Sequence, residues 1–463
     1  MAAWPRLKRI DMSPASRPAP APATLETLEK AFSQVASGPP GAAQTSLLTQ
    51  VMEDYQSDET PELGADDMAV LLGQAWNTAS RREAGSAAIV TVGPLLNAKG
   101  QQSGYDHVLI IQDDAPFLVD SVLGELADAG VTVRAFYHPI VEMTAGRRDS
   151  LIVLIIDPLP QERRDALGEG LALAMSDVRL AVSDHGAMAE LMGAAIARLQ
   201  DASIRGADTA AIEEDIAFLE WTRNDHFVFL GAREYDFPVD ASGVSQAEAP
   251  LNKTQEGLGV LRDPERRVLR RASEPAVLTA AMKRQLDQSE PITVAKSNLR
   301  SRVHRRAYMD YIGVKRYDDQ GRAVGETRFV GLFTAETYDK TAKQVPLIRR
   351  KVQNALERAG KAPGSHNYKR LKNILENYPR DELFQITEDE LLKTALGILH
   401  LYDRPRISLF SRRDPFDRFV SVLAFIPRER FDATLRARIG RMLAEAWGGR
   451  ISAWYPQLSD QPL

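Results

Sequence analysis

The stretch that most constrains this chain runs from His107 to Glu142, HVLIIQDDAPFLVDSVLGELADAGVTVRAFYHPIVE. Val108–Ile111 is an uninterrupted apolar run, too short for a buried helix and bounded by an acidic, proline-containing turn, so it reads as a strand. Leu118, Val122 and Leu126, with Val119 and Leu123 beside them, recur at the three- and four-residue spacing of an amphipathic helix. Gly130 is placed to end that helix, because glycine tolerates the left-handed backbone of a helix stop. A return strand over Val131–Val141 follows, then a strand at Leu151–Ile156, a helix from about Gln161 to Met175, and a closing strand at Val178–Val182. The order is β-α-β-β-α-β, that of a ferredoxin-like unit.

The same order recurs near the other end. Glu382–Ile386 reads as a short strand, and Thr387 with Glu390 three residues on forms a capping-box pattern that heads a helix over Glu388–Tyr402. Strands at Arg406–Ser411 and Arg418–Ile426, a helix from Glu429 to Trp447 and a last strand at Ile451–Tyr455 complete the second copy. In both copies the first and third strands are the most apolar, as central strands should be. Their continuous rather than alternating character predicts cover on both sheet faces, the second supplied by a neighbouring domain or subunit.

Between the copies, the strands HFVFLGAREYDF, ITVAKSN, RRAYMDYIGVKRYD and TRFVGLFTAE and a hairpin GLGVLRDPERRVLRR (257–271) predict an antiparallel sheet, with a helix near Ala276–Gln288. At 463 residues the chain exceeds one ordinary core. The expected layout is a Pro/Ala/Ser-rich disordered tail at 1–45 with one helix from Leu25, and a helical segment at 46–85. The first ferredoxin-like unit takes 86–185, a helical connector 186–225, the antiparallel sheet 226–342, a second helical connector 343–380, and the second unit 381–463. The class is α+β.

Composition narrows function more than fold. Charged residues make up 26% with a net charge of −5, so no overall field points to nucleic acid. The absence of cysteine rules out thiolate metal sites and cysteine nucleophiles and fits a reducing compartment, so the cytoplasm is expected. No apolar run reaches the roughly 18–20 residues of a membrane span.

Two constellations stand out. The acidic turn Asp113, Asp114, Pro116, Phe117, with Asp120 one turn on, opens a helix whose free N–H groups and carboxylates form a candidate ligand turn. The plainer alternative is that Asp114 only caps the helix. The run Lys296, Arg300, Arg302, His304, Arg305 and Arg306, with Lys315 and Arg316 beyond, is the densest positive patch and a candidate anion or nucleotide site. Its plainer reading is a solvated face or an interdomain salt-bridge surface. Gly257-Leu258-Gly259 fails as a dinucleotide fingerprint because Arg262 stands where the third glycine belongs, and the scattered histidines show no metal-ligand spacing. No catalytic, cofactor-binding or metal residue is expected in this chain.

The strings DDAPFLVDSVLGELADAGVTVRAFYHPI, FVFLGAREYDF, AKSNLRSRVHRRAYMDYIGVKRYD, RFVGLFTAETY, SHNYKRLKNILENYPRDELFQITEDELL and DPFDRFVSVLAFIPRERFDATLR resemble the N-terminal region of the large bacterial NAD-specific glutamate dehydrogenases, over about 100–456. That resemblance implies ACT-type units flanking a PAS-like sheet domain. It also implies oxidative deamination of L-glutamate with NAD in a downstream catalytic domain, assembly into a homo-oligomer, and an amino-acid effector. Amino-acid-binding ACT modules carry glycine after the proline of the first turn; Phe117 stands there in this chain. The catalytic lysine segment and the nucleotide fingerprint are missing, so the chain reads as a truncated product or fragment that alone should not turn over glutamate. A free-standing ACT-type amino-acid sensor and a nucleotide-binding module built on Lys296–Arg316 are the competing readings.

Overall fold

Buried strands need cover on both faces, and the origin of that cover is the main departure of the structure from expectation. The structure, a computed structural model, describes residues 23–38, 41–55, 63–144, 146–201, 209–237, 252–253, 256–266, 268–269, 290–404 and 406–457. The chain divides into two compact units. Unit 1 takes the described residues up to Val182 together with Arg302–Arg306; unit 2 takes those of Ser183–Ser301 and of Ala307 onward.

Unit 1 begins with three helices, α1 (Leu25–Phe32), α2 (Ala42–Asp54) and α3 (Ala65–Ala79). Strands β1 (Ile89–Leu96) and β2 (Gln102–Asp113), helix α4 (Leu118–Asp128), strands β3 (Val133–Tyr137), β4 (Ile140–Thr144) and β5 (Arg147–Ile156), and helix α5 (Gln161–Ser183) follow. The sheet runs β1-β2-β5-β3, with β4 also on β5 and every pair antiparallel. Strands β3 and β4 are the expected Val131–Val141 strand, interrupted at His138–Pro139, where proline has no N–H to give the ladder.

The central positions of β2 and β5 match the expectation; the fourth strand does not. Val178–Val182 is helical, the last part of α5. Met175, Val178 and Ala181 continue the buried spacing of Leu167, Leu171 and Ala174, and no breaker separates them. The slot beside β2 goes instead to β1, which precedes it in the chain and pairs Val90 with Ile110 and Thr91 with Leu109.

One sheet face, carrying Leu109, Ile111, Ala135, Tyr137, Leu151, Val153 and Ile155, packs against α1–α3 through Leu28, Phe32, Leu47, Val51, Leu72 and Trp76. The cover is therefore the unit's own N-terminal helices. It extends into the stretch expected to be a tail: Leu28 and Phe32 are buried, each worth about 2 kcal/mol, and Thr24 and Thr27 cap α1 reciprocally. Val108, Ile110, Ile152, Leu154 and Ile156, on the opposite face, are equally buried, as are Leu118, Val122 and Leu126 of α4. At one edge the Gln50 amide from α2 imitates a strand residue, donating to the Ile140 carbonyl at 3.0 Å and accepting from its N–H at 2.9 Å.

Unit 2 opens with α6 (His185–Asp201) and α7 (Thr209–Trp221). Its sheet runs β7 (Asn252–Lys253), β6 (Phe227–Asp236), β11 (Ala323–Phe333), β10 (Tyr308–Tyr317), β9 (Ile292–Arg300), with β8 (Leu258–Gly259) also on β6. Helices α8 (Ala335–Asp339), α9 (Ile348–Arg358), α10 (His366–Glu376), α11 (Arg380–Gln385) and α12 (Glu388–Asp403) follow, then the pair β12 (Ser408–Arg413) and β13 (Val420–Phe425), and α13 (Ala433–Ala446). One core joins Met188 and Met192 of α6, Phe218 of α7, Phe229 and Phe329 of the sheet, and Val352, Leu371 and Leu391 of the later helices. Phe333 and Phe384 stack at its centre, 4.5 Å apart.

Here the expected second β-α-β-β-α-β copy is corrected. Glu382–Ile386 lies mostly in the short helix α11, because Leu383 and Phe384 both turn into the core and the Lys351 ammonium satisfies the carbonyls at the helix end. Without that strand there is nothing for Ile451–Tyr455 to pair with, and it forms no strand; Ile451 and Trp454 lie over Gly440 of α13 instead. The capping box is present as expected, with Thr387 Oγ1 accepting from the Glu390 N–H at 3.3 Å. The expected hairpin at 257–271 is reduced to β8 and a single 3₁₀ turn, Val260–Arg262. The helix expected at Ala276–Gln288 lies outside the described residues.

Candidate functional site

At the end of β2 the Asp113 carboxylate is gripped by both Arg82 guanidinium nitrogens at 3.0 Å and by the Gly85 N–H at 2.9 Å. The Arg82 hydrogen bond is the main reason its pKa lies below the ordinary carboxylate value. Buried Arg82 also reaches Asp149 at 3.1 Å, and Asp149 in turn holds Arg147, which donates to the carbonyls of Ala79 and Arg82 where α3 ends. Asp114 pairs with Arg148 at 3.1 Å. An open cleft of about 470 Å³ between them is lined by Ala84, Gly85, Gly146 and these charged groups.

Neither aspartate caps α4. The N-cap position belongs to Phe117, at φ 72° and with no side-chain cap. This is the left-handed conformation that glycine takes without cost, so Phe117 keeps the backbone shape of a glycine turn while filling it with a ring. Ser121 Oγ donates to the Phe117 carbonyl at 2.5 Å.

The outer face of α4, spaced by threes and fours, presents Asp120, Ser121, Gly124, Glu125 and Asp128. Against it lie Arg302–Arg306, the only described residues later than Val182 that fold with unit 1. The His304 N–H donates to Ser121 Oγ at 3.0 Å, its Nδ1 lies 2.7 Å from an Asp120 oxygen, and its ring sits 5.3 Å from that of Phe117. The Arg306 guanidinium pairs with Glu125 and lies 3.6 Å from Asp128. Val303 is fully buried, and Arg302 reaches Asp177 of α5 at 3.9 Å.

The structure thus divides the six-residue basic patch and joins part of it to the acidic turn. Lys296, on β9, is held between Asp310 at 2.7 Å and Asp381 at 3.2 Å in unit 2; burial opposes its charge, but the two carboxylates outweigh it and leave its pKa above the ordinary lysine value. Arg300 ends β9, opposite Tyr308. Arg302, His304, Arg305 and Arg306 belong to unit 1. Of the acidic set, Phe117 and Asp120 meet the basic segment, whereas Asp113 and Asp114 close on Arg82 and Arg148, and Pro116 is exposed.

Sequence reasoning passed over two buried arrangements in unit 2. Arg262 forms a bidentate pair with Asp184 at 2.6 Å for each bond, and Asp184 also accepts the Gly259 N–H at 2.7 Å, which holds the Asp184 carboxyl below its usual range. The wholly buried Lys351 donates to the carbonyls of Leu383, Phe384 and Ile386 at 2.9–3.1 Å, and burial lowers its pKa to about 8. A signal for the first existed in Gly259, which at φ 57° needs to be glycine; the second, a lone lysine in a helix, had none. Among the described residues no His/Asp/Glu group has metal-site geometry, and no helix is long and apolar enough to cross a membrane. The contacts made here are those of recognition, closed charge pairs and a packed ring.

Three family models match: glutamate dehydrogenase ACT1 domain over residues 47–203, helical motif 1 over 345–404, and ACT2 domain over 408–463. The chain is similar to the NAD-specific glutamate dehydrogenase of Halomonas elongata, at 35% identity over 423 residues, which is 86% of this chain and 26% of the relative. It is also similar to that of Pseudomonas aeruginosa at 30% over 410 residues, 84% of this chain and 25% of the relative. The corresponding Mycobacterium tuberculosis protein is 25% identical over 415 residues, covering 85% and 24% respectively. The chain therefore spans about a quarter of the length of the curated relatives it matches.

Proposed function

The chain belongs to the large NAD-specific glutamate dehydrogenase family, and from that premise we propose that it is the N-terminal regulatory and assembly region of such an enzyme. The reaction, oxidative deamination of L-glutamate to 2-oxoglutarate and ammonia with NAD as hydride acceptor, is carried by a downstream catalytic domain of the full-length polypeptide. The observation that carries this reading is the coverage: nearly the whole chain aligns, yet with only about a quarter of each relative. The match of two segments to ACT models, a domain type with regulatory roles, supports the regulatory half.

Unit 1 is read as a ferredoxin-like ACT unit whose fourth strand is β1, and the antiparallel sheet of unit 2 as the PAS-like domain between it and a second ACT-type segment. Support for the first is the sheet order, with β2 and β5 central and α4 and α5 following them. Homo-oligomeric assembly, a cytoplasmic setting and an amino-acid effector belong to the same proposal. The turn from Asp113 to Asp120 is read as a docking turn first, because its charged groups already have partners within unit 1.

The test has two arms. The 463-residue chain, supplied with L-glutamate and NAD, is expected to form no NADH. The full-length enzyme with this region removed is expected to lose its native oligomeric mass in light scattering. NADH formation by the chain alone, or unchanged assembly without it, overturns the proposal.

A further inference from the structure

Between β9 and β10 the chain leaves one strand of unit 2 and regains the next, and the five residues Arg302–Arg306 within that connection fold with unit 1. A surface connection has no need to be held at so many points. This one has a main-chain bond from His304 to Ser121, side-chain bonds from His304 to Asp120 and from Arg306 to Glu125, and a fully buried Val303. Extended-peptide recognition has this form: a main-chain hydrogen bond sets register, and alternate side chains find an apolar and a charged seat.

The receiving face is shaped for it. Gly124 lies where a β-carbon would come within 3.0 Å of Arg306 Nε and 3.1 Å of its Cγ, so a bare helix surface is what lets the arginine stem lie flat. Phe117 and His304 are both non-glycine residues at positive φ, 72° and 64°, and their rings face each other. Strain of this kind persists only where surrounding contacts hold it, and it marks contacts that are made and broken. The charge pair between His304 and Asp120 is open to water, with 37% and 55% of the two side chains exposed, so it adds direction more than strength.

We infer that the outer face of α4 is a peptide-docking groove for a basic, histidine-containing segment, and that Arg302–Arg306 is its resident occupant, exchangeable with another segment of the same chemistry. The groove is read by Asp120, Ser121, Gly124 and Glu125; the occupant presents Val303, His304 and Arg306. This rests on the geometry of unit 1 alone and does not depend on the enzyme family.

The test uses the full chain. A fluorescent peptide of sequence SRVHRRA, residues 301–307, is titrated against the parent, Arg306→Glu, and the reversed pair Glu125→Lys/Arg306→Glu, while hydrogen exchange of α4 amides is followed by mass spectrometry. In Arg306→Glu the α4 amides are expected to exchange at least tenfold faster, with the β2 and β5 amides unchanged. The peptide is expected to bind that variant at least tenfold more tightly than the parent, whose groove is filled. The reversed pair is expected to regain α4 protection and lose peptide binding. Equal peptide binding by parent and Arg306→Glu, unchanged α4 exchange, or a reversed pair that regains neither overturns the inference.

Discussion

Asp215 gives the sharpest quantitative test of unit 2. It lies on α7 with 3% of its surface exposed. Burial pushes its carboxyl up from 3.8 to about 7, against the attraction of Arg350 and with Glu290 and Glu214 adding to the rise. A carboxyl raised on folding stabilises fully only below its unfolded pKa, and that contribution is lost as pH climbs through the folded value. A rise from 3.8 to about 7, at about 1.4 kcal/mol per tenfold, gives about 4 kcal/mol in all. About 2 to 3 kcal/mol of it falls between pH 5 and 7.5 by the same linkage. The window closes there because Lys351, a neighbour that lowers the Asp215 pKa, begins to lose its own proton near 8. Asp215→Asn keeps the shape and removes the ionisation. Urea unfolding of parent and variant across this range, followed by tryptophan fluorescence to which Trp221 at the end of α7 contributes, reads the difference in unfolding free energy. The variant's advantage should grow by about 2 to 3 kcal/mol from pH 5 to 7.5. An advantage that stays constant with pH would refute the burial reasoning.

Two further outcomes follow from buried groups. Lys351→Met leaves the carbonyls of Leu383, Phe384 and Ile386 without their donor and is expected to cost about 2 kcal/mol in urea unfolding at pH 7, with α11 amides the first to lose hydrogen-exchange protection. Gly259→Ala places a β-carbon 2.1 Å from the Leu230 carbonyl oxygen at a φ of 57°, so a loss of 3 kcal/mol or more (an order-of-magnitude figure of about that size) is expected in the same assay.

How much of this was legible depended on whether the deciding force was local. Helices α4, α9, α10 and α12 and the strands β2, β5, β6, β9, β10 and β11 follow from runs and spacings within a few residues. The failures came where a short segment reads equally well in two ways. Val178–Val182 is rich in valine, but the buried 3–4 spacing through Met175 to Ala181 decides for helix. Glu382–Ile386 has the apolar content of a strand, yet both Leu383 and Phe384 are buried together, as one helical turn allows and one strand face does not. Strand β1 went unseen because Gly93 and Pro94 interrupt it; its partner β2 supplies the ladder on one side only, and an edge strand tolerates such residues.

The candidate site was legible in its parts and illegible in its pairing. Composition marks 113–120 as acidic and 296–306 as basic, and each alone suggests an external ligand of opposite charge. What sequence cannot supply is that Asp120 and His304, 184 positions apart, come within 2.7 Å of each other. Once they do, each set answers part of the other's charge. A chain of net charge −5 then needs no bound ion to account for either cluster. The glycine that amino-acid-binding modules keep after the turn proline is replaced here without losing its backbone angle, and the ring so gained packs on the histidine of the docked segment. Phe117 thus changes what the turn faces, from open space for a small ligand to the side chain of its own polypeptide.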